Sequence, residues 1–172
     1  MFELYLLIIL LTIVLVIAFN SIKIGISPMP SSKKVAIEIL KLTKKSSYDT
    51  IIDLGSGFGS LAIFLAINQP RKKIIAYEIS FFPYLISKIL KTIFRVKNLE
   101  IHKKDFLKEN LKNAVLVCYL FPKGMEKLED KLFDETINTE IISSTFAFRH
   151  IKFREKIEAQ DLLRTPIYFY RT

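Results

Sequence analysis

Cysteine and histidine are scarce in this chain of 172 residues, which contains one cysteine and two histidines. Because Cys118 is the single cysteine, no internal disulfide bond can form, in agreement with a reducing compartment. His102 and His150 lie far apart in the sequence, without the spacing of metal ligands, so we expect no metal site. Internal repeats and low-complexity tracts are also missing, and the length allows one domain of ordinary size.

Charged residues are missing from residues 4–22, where the chain is almost pure Leu, Ile and Val. A helix over these residues would be roughly 29 Å long, close to the ~30 Å hydrocarbon core of a bilayer. No Lys or Arg precedes this run and no small-x-small cleavage site follows it, so a cleaved signal peptide fits poorly. We therefore expect one transmembrane anchor over residues 1–22.

The charges around this run predict its orientation. Glu3 is the only charge before it, whereas Lys23, Lys33 and Lys34 follow it. The positive-inside rule then predicts a single-pass membrane protein whose C-terminal domain is cytoplasmic. The whole chain has a net charge of +9, much of it in short clusters such as "KLTKK" and "RKK". We expect membrane lipid, and not nucleic acid, as a partner of these clusters; a solvated basic surface is the alternative.

Residues 23–47 are expected to form a linker and an N-terminal helix. Two prolines and a glycine in "IGISPMP" oppose regular helix, and this stretch is either a stalk or a lid over the ligand. The following stretch, "SSKKVAIEILKLTKKSS", is predicted to be a helix. A serine can cap its start, and its apolar residues recur at helical spacing.

From residue 48 to residue 172, segments typical of strands alternate with segments typical of helices. The amphipathic segment "FFPYLISKILKTIFRV" is one such helix, with Lys88, Lys91 and Arg95 on one face. This alternation predicts a doubly wound, mainly parallel α/β sheet, with a ligand crevice at the carboxyl ends of its strands. The last two strands are joined by so short a link that they must be antiparallel. The predicted strands are "YDTIIDLG", "KKIIAYEI", "NLEIHKKD", "NAVLVCYLF", "TEIISSTFAF", "KFREKIEAQ" and "PIYFYRT".

A glycine-rich loop, "GSGFG", follows the first of these strands. Its glycines Gly55, Gly57 and Gly59 allow a tight turn and a close approach of the backbone to a ligand. A dinucleotide site of the Gly-x-Gly-x-x-Gly type would need a third glycine where Ser60 stands. Asp53 brings a carboxylate to the end of the buried strand, where it requires a cationic partner or hydrogen-bond donors. The alternative for Asp53 is a simple cap of the strand end.

A second carboxylate, Glu78, ends the second strand 19 residues after Gly59. An acidic side chain at this place can accept hydrogen bonds from both hydroxyls of a ribose; the alternative is a solvated strand end. S-adenosylmethionine carries an ammonium, a sulfonium and a ribose, so it suits both carboxylates and is the expected cofactor.

At this point the sequence resembles the class I S-adenosylmethionine-dependent methyltransferases, through "DLGSGFG" and through Glu78 at the end of the second strand. The resemblance implies a seven-stranded Rossmann-like methyltransferase sheet with an antiparallel C-terminal hairpin. It also implies that the loop backbone contacts the methionine part, that Glu78 binds the ribose and that Asp105 lies near the adenine amine. For Asp105, capping of a following helix is the alternative. The cofactor-binding residues so expected are Asp53, Gly55, Ser56, Gly57, Gly59, Glu78 and Asp105.

The order of segments looks like that of the membrane-anchored protein-lysine methyltransferases whose mitochondrial members modify the ATP synthase c-subunit and the adenine nucleotide translocase. An apolar N-terminal segment, a proline-containing linker, "DLGSG" and "VLVCYLFPKGMEKLEDKL" follow one another as in that family. Phe58 and Ser60 depart from it, because an acidic and a basic residue usually stand there. This departure bears on the substrate more than on the cofactor.

The methyl acceptor is expected at the end of the fourth strand, "CYLFP". Tyr119, Phe121 and Pro122 are the catalytic candidates that would wall an acceptor; plain core packing is the alternative for the two aromatic residues. The hypothesis is methylation of a lysine of a membrane protein. A small membrane-soluble amphiphile, such as a quinone or lipid precursor, and a non-catalytic cofactor-binding tether are the alternatives. RNA methylation suits the charge but gives the anchor no role.

Overall fold

The computed structural model describes Glu3, Tyr5 and residues 32–135 and 139–172. Within these residues, the predicted strands and helices are present in the predicted order. Their bounds are α1 Lys33–Lys45, β1 Thr50–Leu54, α2 Ser60–Asn68, β2 Lys73–Tyr77, α3 Phe81–Ile93, β3 Leu99–His102, a 3-10 turn at Phe106–Lys108, β4 Val115–Cys118, α4 Pro122–Asp134, β5 Glu140–Ser144, β6 Glu155–Glu158 and β7 Pro166–Arg171.

The strands form one seven-stranded sheet in the order β3-β2-β1-β4-β5-β7-β6. The first five strands pair in parallel, whereas β7 is antiparallel to both β5 and β6. The order of strands reverses between β1 and β4, and such a switch point is where open α/β sheets bind ligands. The predicted Rossmann-like, mainly parallel sheet with an antiparallel C-terminal hairpin is therefore confirmed.

Helices cover both faces of the sheet. Successive side chains of each central strand point to opposite sides, so each strand contributes apolar side chains to a cluster on each face. Ile51 packs in a cluster with Val35 of α1 and Leu65 of α2. Its neighbour Ile52 belongs to a cluster on the other face, with Leu128 of α4. Burying one such aliphatic side chain contributes roughly 1.5–3 kcal/mol, so the two clusters fix the helices on the sheet.

Helix α1 is held at both ends. At its start, the Ser32 Oγ accepts a hydrogen bond of 3.2 Å from the Val35 N–H, as expected of a capping serine. At its end, the Lys72 ammonium donates to the carbonyl oxygens of Thr43 and Ser46, at 2.9 and 3.1 Å. The last carbonyls of a helix have no partner within it, so this lysine satisfies two carbonyls at this end and ties α1 to the start of β2.

The fold prediction needs one correction, which concerns its transmembrane helix. Within the described parts of the chain, no helix has both the length and the apolar character needed to cross a bilayer. That part of the fold prediction was therefore wrong for the described residues. Apart from Glu3 and Tyr5, the segment 1–22 on which the prediction was based lies outside them, as does the whole of the linker at residues 23–31.

Candidate active site

The glycine loop joins β1 to α2 at the carboxyl edge of the sheet. The N–H groups of Gly55 and Ser56 both donate to the Tyr77 carbonyl oxygen at 3.0 Å, which ties the loop to the end of β2. The loop then closes through a 2.9 Å hydrogen bond from the Gly59 N–H to the Ser56 carbonyl. The loop backbone is therefore fixed from two sides before α2 begins.

Gly59 is the position where no other residue fits. It has a φ of +75°, and a Cβ placed there would lie 2.8 Å from the Ser87 Cβ of α3. Both the left-handed backbone and the close approach of α3 require glycine. Because the side chain of Ser87 is small, α3 can come this close to the loop. Ser87 is the buried residue of α3.

Asp53 lies near the end of β1 with only 4% of its surface exposed. Its Oδ2 atom is buried and has no hydrogen-bond partner among the described residues. Burial, followed by the negative charge of Glu78, raises the pKa of Asp53 from 3.8 to about 7, while the Ala62 backbone N–H opposes the rise. The Oδ2 atom is thus held in a place where it lacks a cation or a donor.

Glu78 follows β2 and is also buried, with 7% exposed. One carboxylate oxygen accepts a 2.8 Å hydrogen bond from the Gly57 N–H. The other oxygen accepts one of 2.7 Å from the Ser80 N–H, at the start of α3. An ionised carboxylate offers about four acceptor positions, so Glu78 fixes the loop and keeps acceptor capacity for ligand hydroxyls.

Asp105 lies on the loop after β3, partly buried. Its Oδ1 atom accepts a 3.0 Å hydrogen bond from the Leu107 N–H, so it caps the 3-10 turn Phe106–Lys108. The capping alternative raised from the sequence is the contact that the structure has. A role of Asp105 toward adenine stays a prediction.

The candidate acceptor residues follow β4. Tyr119 and Phe121 are partly buried, and Pro122 is the first residue of α4, a favoured place for proline. Both aromatic rings lie 6.1 Å from the ring of Phe146, and the Phe121 ring is stacked on it at 26°. Phe146 was not expected here, because it lies within the predicted strand "TEIISSTFAF", whereas the structure places it on the loop after β5.

The sequence does contain a signal for Phe146. The predicted strands β4 and β5 follow one another in the chain, and the carboxyl ends of parallel strands lie at the same edge of a sheet. A buried carboxylate, Glu129 of α4, fixes the loop that follows. It accepts hydrogen bonds from the N–H groups of Arg149, His150 and Ile151, at 3.3, 2.7 and 2.8 Å. Phe146 is therefore part of a loop whose far end is anchored.

Cys118, His102 and His150 were also singled out in the sequence, and each makes contacts within the protein. Burial raises the pKa of the Cys118 thiol to about 12, so this residue is a small buried hydrophobe, as predicted. The His102 ring lies 5.8 Å from that of Tyr77, and the His150 N–H donates to Glu129. Across residues 32–135 and 139–172, no group of three His, Cys, Asp or Glu side chains could hold a metal ion.

Several solved methyltransferases share this fold. An RNA methyltransferase from Salinibacter ruber, in complex with S-adenosyl-L-homocysteine, has a TM-score of 0.73 at 24% identity, covering 83% of this chain and 93% of that one. Magnesium protoporphyrin IX methyltransferase from Synechocystis PCC 6803, with bound S-adenosylmethionine, has a TM-score of 0.61 at 13% identity, covering 79% and 77%. A ribosomal protein L11 methylase from Lactobacillus delbrueckii subsp. bulgaricus has a TM-score of 0.59 at 17% identity, covering 80% and 76%. Comparison with curated proteins gives no match.

Asp53, the glycine loop and Glu78 form one corner of the sheet's carboxyl edge. The residues of this corner fit S-adenosylmethionine, which is the cofactor. The unpartnered buried Asp53 Oδ2 and Ser56 Oγ can accept hydrogen bonds from a ligand, and a carboxylate suits its positive charges. A Cβ on Gly57 would meet no atom within 4 Å, so the backbone there borders open space. Asp53, Ser56, Gly57 and Glu78 would hold the cofactor.

A family model supports the same conclusion independently of the fold. The model of the ANTKMT methyltransferase domain matches residues 53–155, which begin at the buried Asp53 and include both loops of the site. This range covers more than half of the chain. With its S-adenosylmethionine corner and its methyltransferase sheet, the chain is a class I S-adenosylmethionine-dependent methyltransferase and belongs to the ANTKMT methyltransferase domain family.

Proposed function

We propose that this methyltransferase transfers a methyl group to the side-chain amine of a lysine in a protein. The observation that carries the proposal is the aromatic cluster of Tyr119, Phe121 and Phe146 at the carboxyl ends of β4 and β5. Membership of the ANTKMT family supports it. The membrane location and the membrane-protein substrate expected from the sequence stay predictions.

When bound, S-adenosylmethionine supplies a methyl group attached to a positively charged sulfur. Asp53 and Glu78 would hold the cofactor through charge and hydrogen bonds, and the Gly57 backbone would permit its close approach. The transfer itself needs mainly correct positioning, with the reacting atoms about 3–3.5 Å apart and water excluded. The rigid loop, tied to β2 through Tyr77, would provide that positioning.

The aromatic cluster suits a lysine acceptor for two reasons. A lysine must be neutral to attack, and a poorly hydrated aromatic slot lowers the pKa of an amine that enters it. After transfer the product is a methylammonium ion, which the faces of aromatic rings attract. Tyr119, Phe121 and Phe146 would thus favour both the reactive amine and the cationic product.

RNA is the second candidate substrate, because the structural relative from Salinibacter ruber is an RNA methyltransferase and this chain carries a net charge of +9. At 24% identity that relative shows the fold alone. An aromatic slot can also stack on a flat nucleic-acid base. The two substrates must therefore be distinguished by the kind of molecule that receives the methyl group. A small amphiphile and a non-catalytic tether are the other outcomes to be tested.

The test is to incubate the enzyme with S-adenosylmethionine labelled in its methyl group and an extract of cells that lack this chain. The label is then sought in protein hydrolysates, in nucleosides and in an organic-solvent extract. We expect it as methyl-lysine in the protein hydrolysate, unaffected by prior ribonuclease treatment. Label found only in nucleosides or only in the organic extract would overturn the lysine proposal.

Two variants make this test specific to the site. Phe146→Ala should retain cofactor binding but transfer much less label, because it opens the acceptor slot. Phe133→Ala is the matched control, since Phe133 is an exposed residue of α4, 58% accessible, and should transfer label like the wild type. Equal transfer by both variants would remove the aromatic cluster from the mechanism.

A further inference from the structure

Helix α3 presents apolar side chains to the solvent. Phe81, Leu85, Ile89 and Ile93 are 53%, 42%, 51% and 65% exposed, and we call these four residues the outer stripe. They follow one another at intervals of four, so each lies about 40° around the helix from the last, on one continuous side. Soluble proteins rarely leave a contiguous apolar face of this kind without a binding role.

The opposite side of α3 explains this exposure. Ser87 is the buried residue of the helix, and it lies where a Cβ on Gly59 would be 2.8 Å away. The close contact of α3 with the glycine loop is therefore made by small residues. Tyr84 and Leu90 are partly buried against the core, whereas the four residues of the outer stripe face outward, and none of the described residues buries them.

The outer stripe has basic and no acidic neighbours in the sequence. Between residues 81 and 99 the chain has no Asp or Glu, whereas it has Lys88, Lys91, Arg95 and Lys97. Lys103, on the loop after β3, places its ammonium 5.1 Å from the centre of the Phe81 ring. An apolar face with a basic margin is the pattern of helices that lie in the interface of an anionic bilayer.

We propose that the outer stripe and its basic margin dock on the surface of a membrane that contains anionic lipids. The helix would lie in the plane of the interface, with the stripe among the acyl chains and the lysines at the headgroups. The sequence predicted membrane lipid as a partner from basic clusters; the outer stripe assigns that contact to particular residues. This inference does not rest on the acceptor proposed above.

Other occupants fit the surface less well. A second copy placed on the same face would bring the two basic margins together, and like charges repel. The apolar run at residues 6–22 has no charged residue, so it would leave the lysines without partners. Docking on lipid would also take place close to the cofactor site, because Phe81, the first residue of α3, follows Glu78 by three residues, and Glu78 accepts a hydrogen bond from the Ser80 N–H.

The test uses the full-length chain with one added cysteine carrying an environment-sensitive fluorophore. The native Cys118 is buried, so an exposed added cysteine is labelled selectively. Ile89→Cys reports on the outer stripe, and Leu162→Cys is the matched control, because Leu162 is a fully exposed leucine between β6 and β7. Vesicles of phosphatidylcholine alone and of phosphatidylcholine with phosphatidylserine are then added.

We expect the label at position 89 to shift to the blue with phosphatidylserine vesicles and less with neutral ones, while the label at position 162 stays unchanged. A basic residue near an anionic surface contributes roughly fivefold to binding, so Lys88→Gln in the labelled Ile89→Cys protein should weaken the response about fivefold. S-adenosylmethionine binding by the labelled proteins, measured without vesicles, checks that they are folded.

Four results would overturn the proposal. An unchanged label at position 89 would show that the outer stripe stays in water. Equal responses at positions 89 and 162 would show that vesicle binding does not select this face. A blue-shifted label before vesicles are added would assign the face to residues 6–22 of the same chain. A shift that depends on protein concentration without lipid would assign it to a second copy.

Discussion

The replacement of Asp53 by asparagine should stabilise the ligand-free protein while weakening its hold on the cofactor. Asp53 is buried, its Oδ2 has no partner among the described residues, and its pKa is raised to about 7 by burial and by Glu78. Asparagine has nearly the same shape but no charge. It therefore removes the unfavourable burial of a charge together with the group that suits a cationic ligand.

The size of the effect follows from the pKa of Asp53. A rise from 3.8 to about 7 corresponds to roughly 4 kcal/mol lost by the folded protein when the group is fully ionised. The buried amide of asparagine must itself find hydrogen bonds, which costs about 1–3 kcal/mol if it does not. A net gain of about 2 kcal/mol above neutral pH would raise the melting temperature by about 4–8 °C for a chain of this length.

The size of this effect changes with pH in a defined way. Between about pH 4 and 7 the folded protein keeps the Asp53 proton that the unfolded chain releases, so the wild type loses stability from this group as the pH rises through that range. Asparagine cannot titrate. Its advantage over the wild type should thus be largest near pH 8 and should disappear near pH 5.

The assay is thermal unfolding of wild type and Asp53→Asn, without cofactor, at both pH values. Asp130→Asn, on the exposed side of α4, is the matched control and should change the melting temperature little. In parallel, S-adenosylmethionine should bind the wild type more weakly as the pH falls below 7, and Asp53→Asn should lack this dependence. A lower melting temperature of Asp53→Asn at pH 8, or an equal gain at both pH values, would refute the reasoning.

Three further predictions concern the loops of the site. Gly59→Ala should destabilise the protein by roughly 2 kcal/mol or more, because of its positive φ and its contact with Ser87; Gly57→Ala, with open space around it, should cost about 1 kcal/mol in chemical unfolding. Phe146→Ala should lower kcat in a methyl-transfer assay and leave the Kd for the cofactor unchanged, and an equal loss in both would contradict its place in the acceptor slot. Glu129→Gln should increase hydrogen exchange at residues 149–151, since a neutral amide accepts their three N–H groups less strongly; unchanged exchange would show that the loop is held by other contacts.

The sequence predicted the parts of the site that depend on one segment at a time. An apolar strand that ends in Asp53 and runs into three glycines can be recognised locally, and so can the acidic end of β2 at Glu78. What the sequence did not predict were contacts between segments. The hydrogen bond from Gly57 to Glu78 exists because β1 and β2 pair in parallel register, and this register follows from packing of the whole sheet.

The same limit explains why the sequence did not predict the aromatic cluster or the outer stripe. Phe146 was assigned to a strand, whereas β5 ends at Ser144 and Thr145 takes a φ of +74°, which turns the chain toward Tyr119. In α3 the periodicity predicts an amphipathic helix but does not indicate which side packs on the protein. The close approach of Ser87 to Gly59 decides that, and it leaves Ile89 exposed.

Isothermal titration calorimetry with S-adenosylmethionine tests the central claim most directly, namely that the corner formed by Asp53, the glycine loop and Glu78 binds this cofactor. We expect saturable binding at one site, no binding of NADH, and an affinity at least about tenfold lower for Glu78→Ala, as for the loss of a charged hydrogen bond. Glu126→Ala, on the surface of α4, should bind like the wild type. An absence of heat with S-adenosylmethionine, or a Glu78→Ala protein that titrates like the wild type, would contradict the account.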